Sequence, residues 1–178
     1  HRRFRFFVTP RAILIGAPGA GKTTVGELLA RILDCAFADS DQLVEAEHGV
    51  LVPDIFVNHG EATFREWEHN AIEQALTGFD GILSLGGGSV MDVNTAKKLR
   101  EGGSPIFWLE VSSSVAFRRA GLSAPRPLLI GNVRANLVAL LETRTPIYES
   151  LATSRIDVNT LDQSQLAQQI ANQLTGGA

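Results

Sequence analysis

The segment Gly16 to Thr24, GAPGAGKTT, restricts the possible folds of this chain more than any other feature. It fits the phosphate-binding pattern G-x-x-x-x-G-K-[ST]. A short apolar run precedes it, and KTTVGELLARIL, with apolar residues at helical spacing, follows from Lys22. This context predicts a loop between a buried strand and an amphipathic helix. A plain glycine-rich turn with a surface lysine does not account for the loop, the lysine, the hydroxyl and both flanks together.

Each residue type in this loop has a chemical reason. Gly16, Gly19 and Gly21 let the backbone curl so that successive N–H groups point at phosphate oxygens. Lys22 places a positive charge beside the β- and γ-phosphates, and the Thr23 hydroxyl can bind Mg²⁺. The sequence therefore predicts a nucleoside triphosphate site. Its predicted nucleotide-binding residues are Gly19, Ala20, Gly21, Lys22, Thr23 and Thr24.

Strand-like and helix-like segments alternate along the chain, which predicts βαβ units and a parallel sheet. The five predicted strands begin at Ala12, Cys35, Ile82, Ile106 and Arg155. With helices on both faces, they give a three-layer α/β/α P-loop fold. We expect a single domain over residues 12–178, after a basic, aromatic tail over residues 1–11.

Composition narrows the function classes. The 178 residues carry a net charge of −3, which gives no broad attraction to nucleic acid, and the apolar runs are too short for a membrane span. Cys35 is the only cysteine, so no internal disulfide can form, and we expect a reducing, cytoplasmic setting. His48, His59 and His69 stand at no metal-ligand spacing.

Two other classes of P-loop protein lack support. A GTPase should show N/T-K-x-D after a later strand, but IFWLE ends in Glu110 without a nearby lysine. A motor-type ATPase should show a strand ending in acidic residues, but ILSL runs into three glycines, 86–88. Carboxylates are instead available at Asp39 and Asp41, where a strand ends and ligands of parallel sheets bind. A helix N-cap is an alternative role for Asp41.

The order of several short motifs resembles the shikimate kinase family over nearly the whole chain. GAPGAGKTT is followed by DSD (39–41), FRE (64–66), GGG (86–88), RPLL (126–129) and RTPIY (144–148). The resemblance implies strand order 2-3-1-4-5 and a mobile lid over about residues 120–134. It implies a kinase that transfers the γ-phosphoryl group of ATP to the 3-hydroxyl of shikimate, with Mg²⁺, in aromatic amino-acid biosynthesis. ATP or ADP and shikimate are then the partners, and we expect a monomer.

The resemblance also implies roles for individual residues near the acceptor. Asp41 contacts the reacting hydroxyl as the candidate base, while Asp39 helps Thr23 to hold Mg²⁺. Arg65 and Arg144 clamp the substrate carboxylate, for which a guanidinium fork is chemically suited. The glycine triad brings backbone amides to a ring hydroxyl. Its members are Gly86, Gly87 and Gly88.

On the nucleotide side, the resemblance places Arg126 of the lid on the phosphates as a catalytic cation, together with Lys22. It stacks Arg119 on adenine, although the adjacent Arg118 could take that position. The loop Asn159 to Gln163, NTLDQ, lacks the basic residue that the family often has there. Adenine contacts in this loop are therefore expected from backbone alone.

Alternative interpretations remain open at this point. Arg65 could lie on a solvated or glutamate-paired helix face, Arg144 could be structural, and the glycines 86–88 could form a plain turn. The enzyme could be a gluconate-type sugar-acid kinase, which uses the same loop and an anionic substrate. It could instead be a non-catalytic module that senses ATP, which the presence of Lys22 and Asp41 disfavours.

Overall fold

The computed structural model describes residues 7–121 and 133–176. Five parallel strands form one sheet in the order β2-β3-β1-β4-β5, which confirms the order that the family resemblance implied. The strands are β1 (Ala12–Ile15), β2 (Ala36–Asp39), β3 (Gly81–Ser84), β4 (Ile106–Glu110) and β5 (Ser154–Asp157). The predicted strand starts at Cys35, Ile82 and Arg155 each differ from these bounds by one residue.

Helices cover both faces of the sheet. They are α1 (Lys22–Ile32), α2 (Ser40–His48), α3 (Val52–Gly78), α4 (Val93–Glu101), α5 (Ser113–Gly121), α6 (Val133–Leu151) and α7 (Gln163–Thr175), with a 3₁₀ turn at Ser89–Met91. Proline disfavours the helix interior, so the sequence predicts a kink or restart at Pro146, but α6 runs through this residue as one helix. Within the described ranges, no helix combines the length and apolar character needed to cross a membrane.

Successive side chains of a strand point to opposite faces of the sheet, so the sheet has a hydrophobic core on each face. In β1, Ala12 and Leu14 pack into a cluster with α1 and α7, whereas Ile13 and Ile15 face a cluster with α3 and α4. All four side chains are at most 1% exposed, as expected for a strand buried on both faces. This burial fixes β1 rigidly, and β1 carries the phosphate-binding loop at its carboxyl end.

A third, smaller cluster joins α2 to α3 beside the sheet. Val44, Ile55 and Phe64 form its centre. Helix α2 ends at Gly49 in the left-handed conformation, and α3 has a non-helical residue at Gly60, with φ 84°. Both positions agree with the sequence, in which the helical pattern over residues 42–76 is predicted to break near Gly49 and Gly60. They turn the second half of α3 back along the sheet, so that its residues near position 65 reach the carboxyl ends of the strands.

The tail segment is described from residue 7 onward. Val8 makes an isolated parallel bridge to Gly78, and Arg11 pairs with Asp80 at 2.9 Å. Pro10 is buried, and its carbonyl accepts a hydrogen bond from Ser104. These contacts lie at the amino ends of the strands, opposite the predicted site. Most of the predicted lid, residues 122–132, lies outside the described residues.

Candidate active site

One cavity of about 810 Å³ lies at the carboxyl edge of the sheet. Because all strand pairs are parallel, this edge collects the loop after β1, the end of β2 and the glycines after β3. The cavity brings together most of the predicted nucleotide residues with both aspartates. Its lining consists of Gly19, Gly21, Lys22, Thr23, Thr24, Asp39, Asp41, Gln42, Glu45, Leu85, Gly86, Gly87, Arg119 and Gln163.

The phosphate-binding loop requires glycine where it passes close to other backbone. A Cβ on Gly19 would lie 2.9 Å from the carbonyl oxygen of Ala116, and φ at Gly19 is +83°. Gly21, also left-handed, precedes α1, and no side chain caps this helix. The first-turn N–H groups of α1 and its positive dipole end are therefore suited to an anion.

Lys22 folds back over the loop to which it belongs. Its Nζ donates to the carbonyl oxygens of Gly16, at 2.7 Å, and Ala17, at 3.1 Å. These two bonds hold the ammonium group beside the loop rather than in bulk water. The charge is thus positioned close to where the loop geometry would place phosphates.

Asp39 uses its two carboxylate oxygens for different tasks. Oδ1 accepts the N–H groups of Asp41, at 2.9 Å, and Gln42, so Asp39 is the N-cap of α2. The capping role considered for Asp41 is therefore wrong, because α2 begins at Ser40, one residue before Asp41. Oδ2 of Asp39 lies 3.5 Å from the Thr23 hydroxyl.

A hydroxyl and a carboxylate oxygen are hard donors of the kind that Mg²⁺ prefers. In the described part of the chain, no group of three or more His, Cys, Asp or Glu residues could hold a metal ion. Mg²⁺ is commonly held by one or two protein oxygens together with nucleotide phosphates and water. The pair Thr23 and Asp39 therefore fits an ion that arrives with a nucleotide.

Two arginines converge on the glycines after β3. A Cβ on Gly88 would collide with the guanidinium groups of both Arg65 and Arg144. A Cβ on Gly87 would lie 3.0 Å from Nη1 of Arg144. Arg144 is only 4% exposed, which argues against a solvated surface role. The buried Arg144 and the half-buried Arg65, which is paired with Glu68, thus place two guanidinium groups beside backbone that carries no side chains.

The three glycines do not serve the same purpose. The N–H of Gly86 donates to Oγ of Ser40 at 2.8 Å, so this donor is already used within the protein. The hydroxyl of Tyr148, which is 1% exposed, donates to the carbonyl of Gly87 at 2.5 Å. Ser40 and Tyr148 thus fix the peptide planes of the turn, and Gly87 and Gly88 are the better candidates for contact with a ligand.

Glu68 belongs to this pocket but is not among the residues that the sequence predicts for it. Its side chain is buried, with 1% of the residue exposed, and Oε1 accepts a 2.7 Å bond from Nη1 of Arg65. Oε2 has no hydrogen-bond partner among the described residues. Oε2 and the Asp41 Oδ1 both lie within 3.0 Å of where a Gly86 Cβ would be. The available signal is the spacing of three between Arg65 and Glu68 on one helix.

Burial raises the pKa of Glu68 to about 7, and nearby Asp41 adds to the rise, while the Arg65 and Arg144 cations oppose it. A carboxyl with a raised pKa holds its proton longer in the folded state than in the unfolded state. The free energy of unfolding should therefore fall as the pH rises from about 4.5 to about 7.

We expect Glu68→Gln to remove this pH dependence. As the pH rises from about 4.5 to about 7, the free energy of unfolding of the wild type should fall by about 1–3 kcal/mol relative to that of Glu68→Gln. At higher pH the difference between the two proteins should stay constant. Urea denaturation of both proteins at half-unit pH steps measures it. Parallel stability profiles for the two proteins would show that Glu68 does not titrate in this range.

Arg119 approaches the loop from α5. Its Nη1 donates to the carbonyls of Gly19, at 3.2 Å, and Ala20, at 3.3 Å, whereas the adjacent Arg118 is exposed. Arg119 is therefore the arginine of this pair that reaches the nucleotide side. The other predicted cation, Arg126, lies outside the described residues.

Comparisons with known proteins agree with this geometry. A family model for shikimate kinase matches residues 18–175. A shikimate kinase of Thermobifida fusca (strain YX) is 44% identical over 165 residues, covering 93% of this chain and 95% of that protein. The structure of a shikimate kinase from Acinetobacter baumannii in complex with shikimate aligns with a TM-score of 0.85 and 31% identity, over 97% of this chain and 96% of that one. A gluconokinase from Sinorhizobium meliloti 1021 reaches only 0.62 and 20% identity, over 97% and 94% of the two chains, which shows a shared fold alone.

Proposed function

The chain belongs to the shikimate kinase family and is an ATP-dependent kinase that phosphorylates a hydroxyl of shikimate, and from this premise we propose how its residues divide the reaction. The observation that carries the proposal is the layout of the cavity. The phosphate-binding loop and Asp41 line the cavity, and Arg65 and Arg144 lie against Gly87 and Gly88 of the glycine turn that borders it. The acceptor is the 3-hydroxyl of shikimate.

The loop and its lysine bind the triphosphate. Backbone N–H groups from Gly19 to Thr24 receive the β-phosphate, and Lys22 exchanges its bonds to the carbonyls of Gly16 and Ala17 for phosphate oxygens. Arg126 of the lid adds a second positive charge. The lid over residues 120–134 closes on the bound substrates and excludes water, which would otherwise accept the phosphoryl group.

Thr23 and Asp39 would hold Mg²⁺, Asp39 on the side of its Oδ2, because its Oδ1 caps α2. The ion would supply positive charge to the phosphates when bound. The active unit of the proposal is a monomer. The single cysteine, Cys35, forms no internal disulfide, which fits a cytoplasmic enzyme.

The acceptor half orients shikimate by its carboxylate. Arg65 and Arg144 bind the carboxylate, and the backbone of Gly87 and Gly88 contacts the ring substituents. This anchoring directs the 3-hydroxyl at Asp41. The hydroxyl oxygen then forms a bond to the γ-phosphorus, the bond from that phosphorus to the β–γ bridging oxygen breaks, and the hydroxyl proton passes to the Asp41 carboxylate. ADP leaves with the bridging oxygen.

Loss of either clamp arginine should weaken shikimate binding much more than nucleotide binding. Arg65→Ala and Arg144→Ala each remove charge-assisted contacts to the carboxylate, worth about 1.5–3 kcal/mol, or roughly 10- to 150-fold in affinity. Separate calorimetric titrations of shikimate and of ADP measure the effect. A coupled ADP-release assay with shikimate, with gluconate and without acceptor then tests the substrate, and only shikimate should support turnover.

Arg31→Ala is the matched control, since Arg31 is exposed on α1 and outside the cavity lining. It should leave both titrations unchanged. Equal losses for shikimate and ADP in the clamp variants, or turnover with gluconate at the same rate, would contradict the proposed acceptor site.

A further inference from the structure

His69 links the helix that carries Arg65 to the helix that follows the glycine turn. Its Nδ1 lies 2.9 Å from the hydroxyl oxygen of Thr95, in the first turn of α4. Its Nε2 lies 3.1 Å from one carboxylate oxygen of Glu73, and the other oxygen of that carboxylate lies 4.0 Å from Nζ of Lys98 on α4. The imidazole and this carboxylate thus form a polar connection between α3 and α4.

The partners of His69 determine the direction of its two hydrogen bonds. An ionised carboxylate can only accept, so Nε2 carries a proton and donates to Glu73. In the neutral ring Nδ1 then accepts, and the hydroxyl of Thr95 donates to it. Thr95 is only 1% exposed, so water cannot easily replace the imidazole as a partner for this hydroxyl.

The bond from His69 lies close to the acceptor pocket. Arg65 and His69 are four residues apart on α3, so their side chains leave the same face of the helix, one turn apart. This face has two contacts with the segment that follows β3. The guanidinium group of Arg65 lies against Gly88, and His69 bonds Thr95. The hydrogen bond is therefore a second contact of the interface that contains the clamp arginine.

Hydrogen bonds also restrict the segment between these two contacts. The N–H of Met91 donates to the carbonyl of Gly88 at 3.2 Å, and the N–H of Asp92 donates to the carbonyl of Ser89 at 3.3 Å. The Asp92 carboxylate, which caps α4, accepts the N–H of Thr95 at 3.0 Å. A shift of Thr95 away from α3 should therefore move Gly88 with it and change the distance from the glycine turn to the clamp arginine.

We propose that His69 is a positioning residue for the carboxylate clamp, because its bond to Thr95 holds Arg65 at the correct distance from Gly88. The inference rests on the proposed role of Arg65 in binding the shikimate carboxylate. Neither His69 nor Thr95 lines the cavity around the phosphate-binding loop. Loss of their bond should therefore weaken shikimate binding and leave nucleotide binding intact.

An isosteric substitution removes the bond without leaving a void. Thr95→Val deletes the hydroxyl and should reduce the affinity for shikimate about three- to tenfold in calorimetric titrations. The affinity for ADP should not change, and kcat at saturating shikimate should stay within about twofold, so that the defect appears in KM. Thr95→Ser keeps the hydroxyl and should retain the wild-type affinity. Asn70→Ala, at an exposed position of α3, is the matched control and should have no effect.

Two substitutions at His69 distinguish positioning from helix stability. Asparagine places a side-chain amide atom near the position of Nδ1, so His69→Asn can still bond Thr95 and should keep the affinity for shikimate. Glutamine reaches the ε position, which faces Glu73, so His69→Gln should lose about as much affinity as Thr95→Val. Glutamine is the better helix former, so a role in helix stability alone predicts the opposite order. Combining His69→Gln with Thr95→Val should cause no further loss, because both changes remove the same bond.

Three results would overturn the inference. They are an unchanged affinity for shikimate in Thr95→Val, an equal loss of affinity for ADP and shikimate, and a higher shikimate affinity in His69→Gln than in His69→Asn. Arg65→Ala distinguishes these failures from a failure of the proposed function. If Arg65→Ala does not weaken shikimate binding, the proposed clamp is wrong. If Arg65→Ala weakens it and Thr95→Val does not, only the role of His69 is wrong.

Discussion

Lys22→Ala should reduce kcat by about a thousandfold while the protein remains folded. A single preorganised donor aimed at developing charge is commonly worth about 10²–10³ in kcat, and Lys22 brings a full positive charge to the phosphates. Among the bonds that the folded structure loses are those from Nζ to the loop carbonyls of Gly16 and Ala17. Single-turnover phosphorylation of shikimate under saturating ATP measures the defect.

The control separates charge loss from disruption of the loop. Lys97→Ala removes an exposed lysine from α4 and should leave kcat unchanged. Circular dichroism and thermal unfolding should show that Lys22→Ala stays folded, and ADP should still bind through the loop N–H groups, although more weakly. Near-normal kcat in folded Lys22→Ala would refute the assignment of this lysine to the transferred phosphate.

The positions of the strands along the chain and the phosphate-binding loop follow closely from the sequence because both depend on local pattern, whereas the strand order came from the family resemblance. Buried strands such as AILI read as continuous apolar runs, and glycines at fixed spacing mark the loop. Some strands begin one residue away from the predicted position, as at Cys35. Hydrogen bonding to the neighbouring strand determines where a strand begins, and the local pattern does not show it. Pro146 does not end α6, which continues to Leu151, and Tyr148 and Leu151 beyond the proline are buried in the core.

The environment of the acceptor pocket could not be predicted in the same way. Arg65 reaches Gly88 only because α3 turns at Gly60, and the spacing of the motifs does not specify that approach. Glu68 reads in the sequence as an ordinary helical partner of Arg65. Its burial beside Asp41, and hence its raised pKa, depends on packing between α2, α3 and the glycine turn.

Asp41→Asn should lower kcat by about 10²-fold or more, because it removes the basic carboxylate near the reacting hydroxyl. Asparagine keeps the shape and can still accept a hydrogen bond, so shikimate affinity should change much less. Oδ1 of Asp41 lies 2.9 Å from the position of a Gly86 Cβ, which places the carboxylate against the glycine turn of the acceptor pocket. Rapid-quench measurement of the transfer step, with separate shikimate titration, gives both quantities.

Asp39→Asn is the matched comparison, since it changes the same carboxylate to the same amide two residues away. Asparagine caps helices about as well as aspartate, so α2 should persist. The defect should instead lie in metal affinity, through the Oδ2 that faces Thr23. Raising the Mg²⁺ concentration should therefore restore much of the activity of Asp39→Asn and little of that of Asp41→Asn.

The two variants across one Mg²⁺ series distinguish proton transfer from metal support. Because Asp39 and not Asp41 caps α2, a loss of activity in Asp41→Asn cannot be attributed to a lost cap. If added Mg²⁺ restores the activity of Asp41→Asn, Asp41 would be assigned to metal binding instead of proton transfer. Full activity of Asp41→Asn at every Mg²⁺ concentration would remove it from the reaction, and the proton would then have to leave by another route, for which the buried carboxyl of Glu68 is the nearest described candidate.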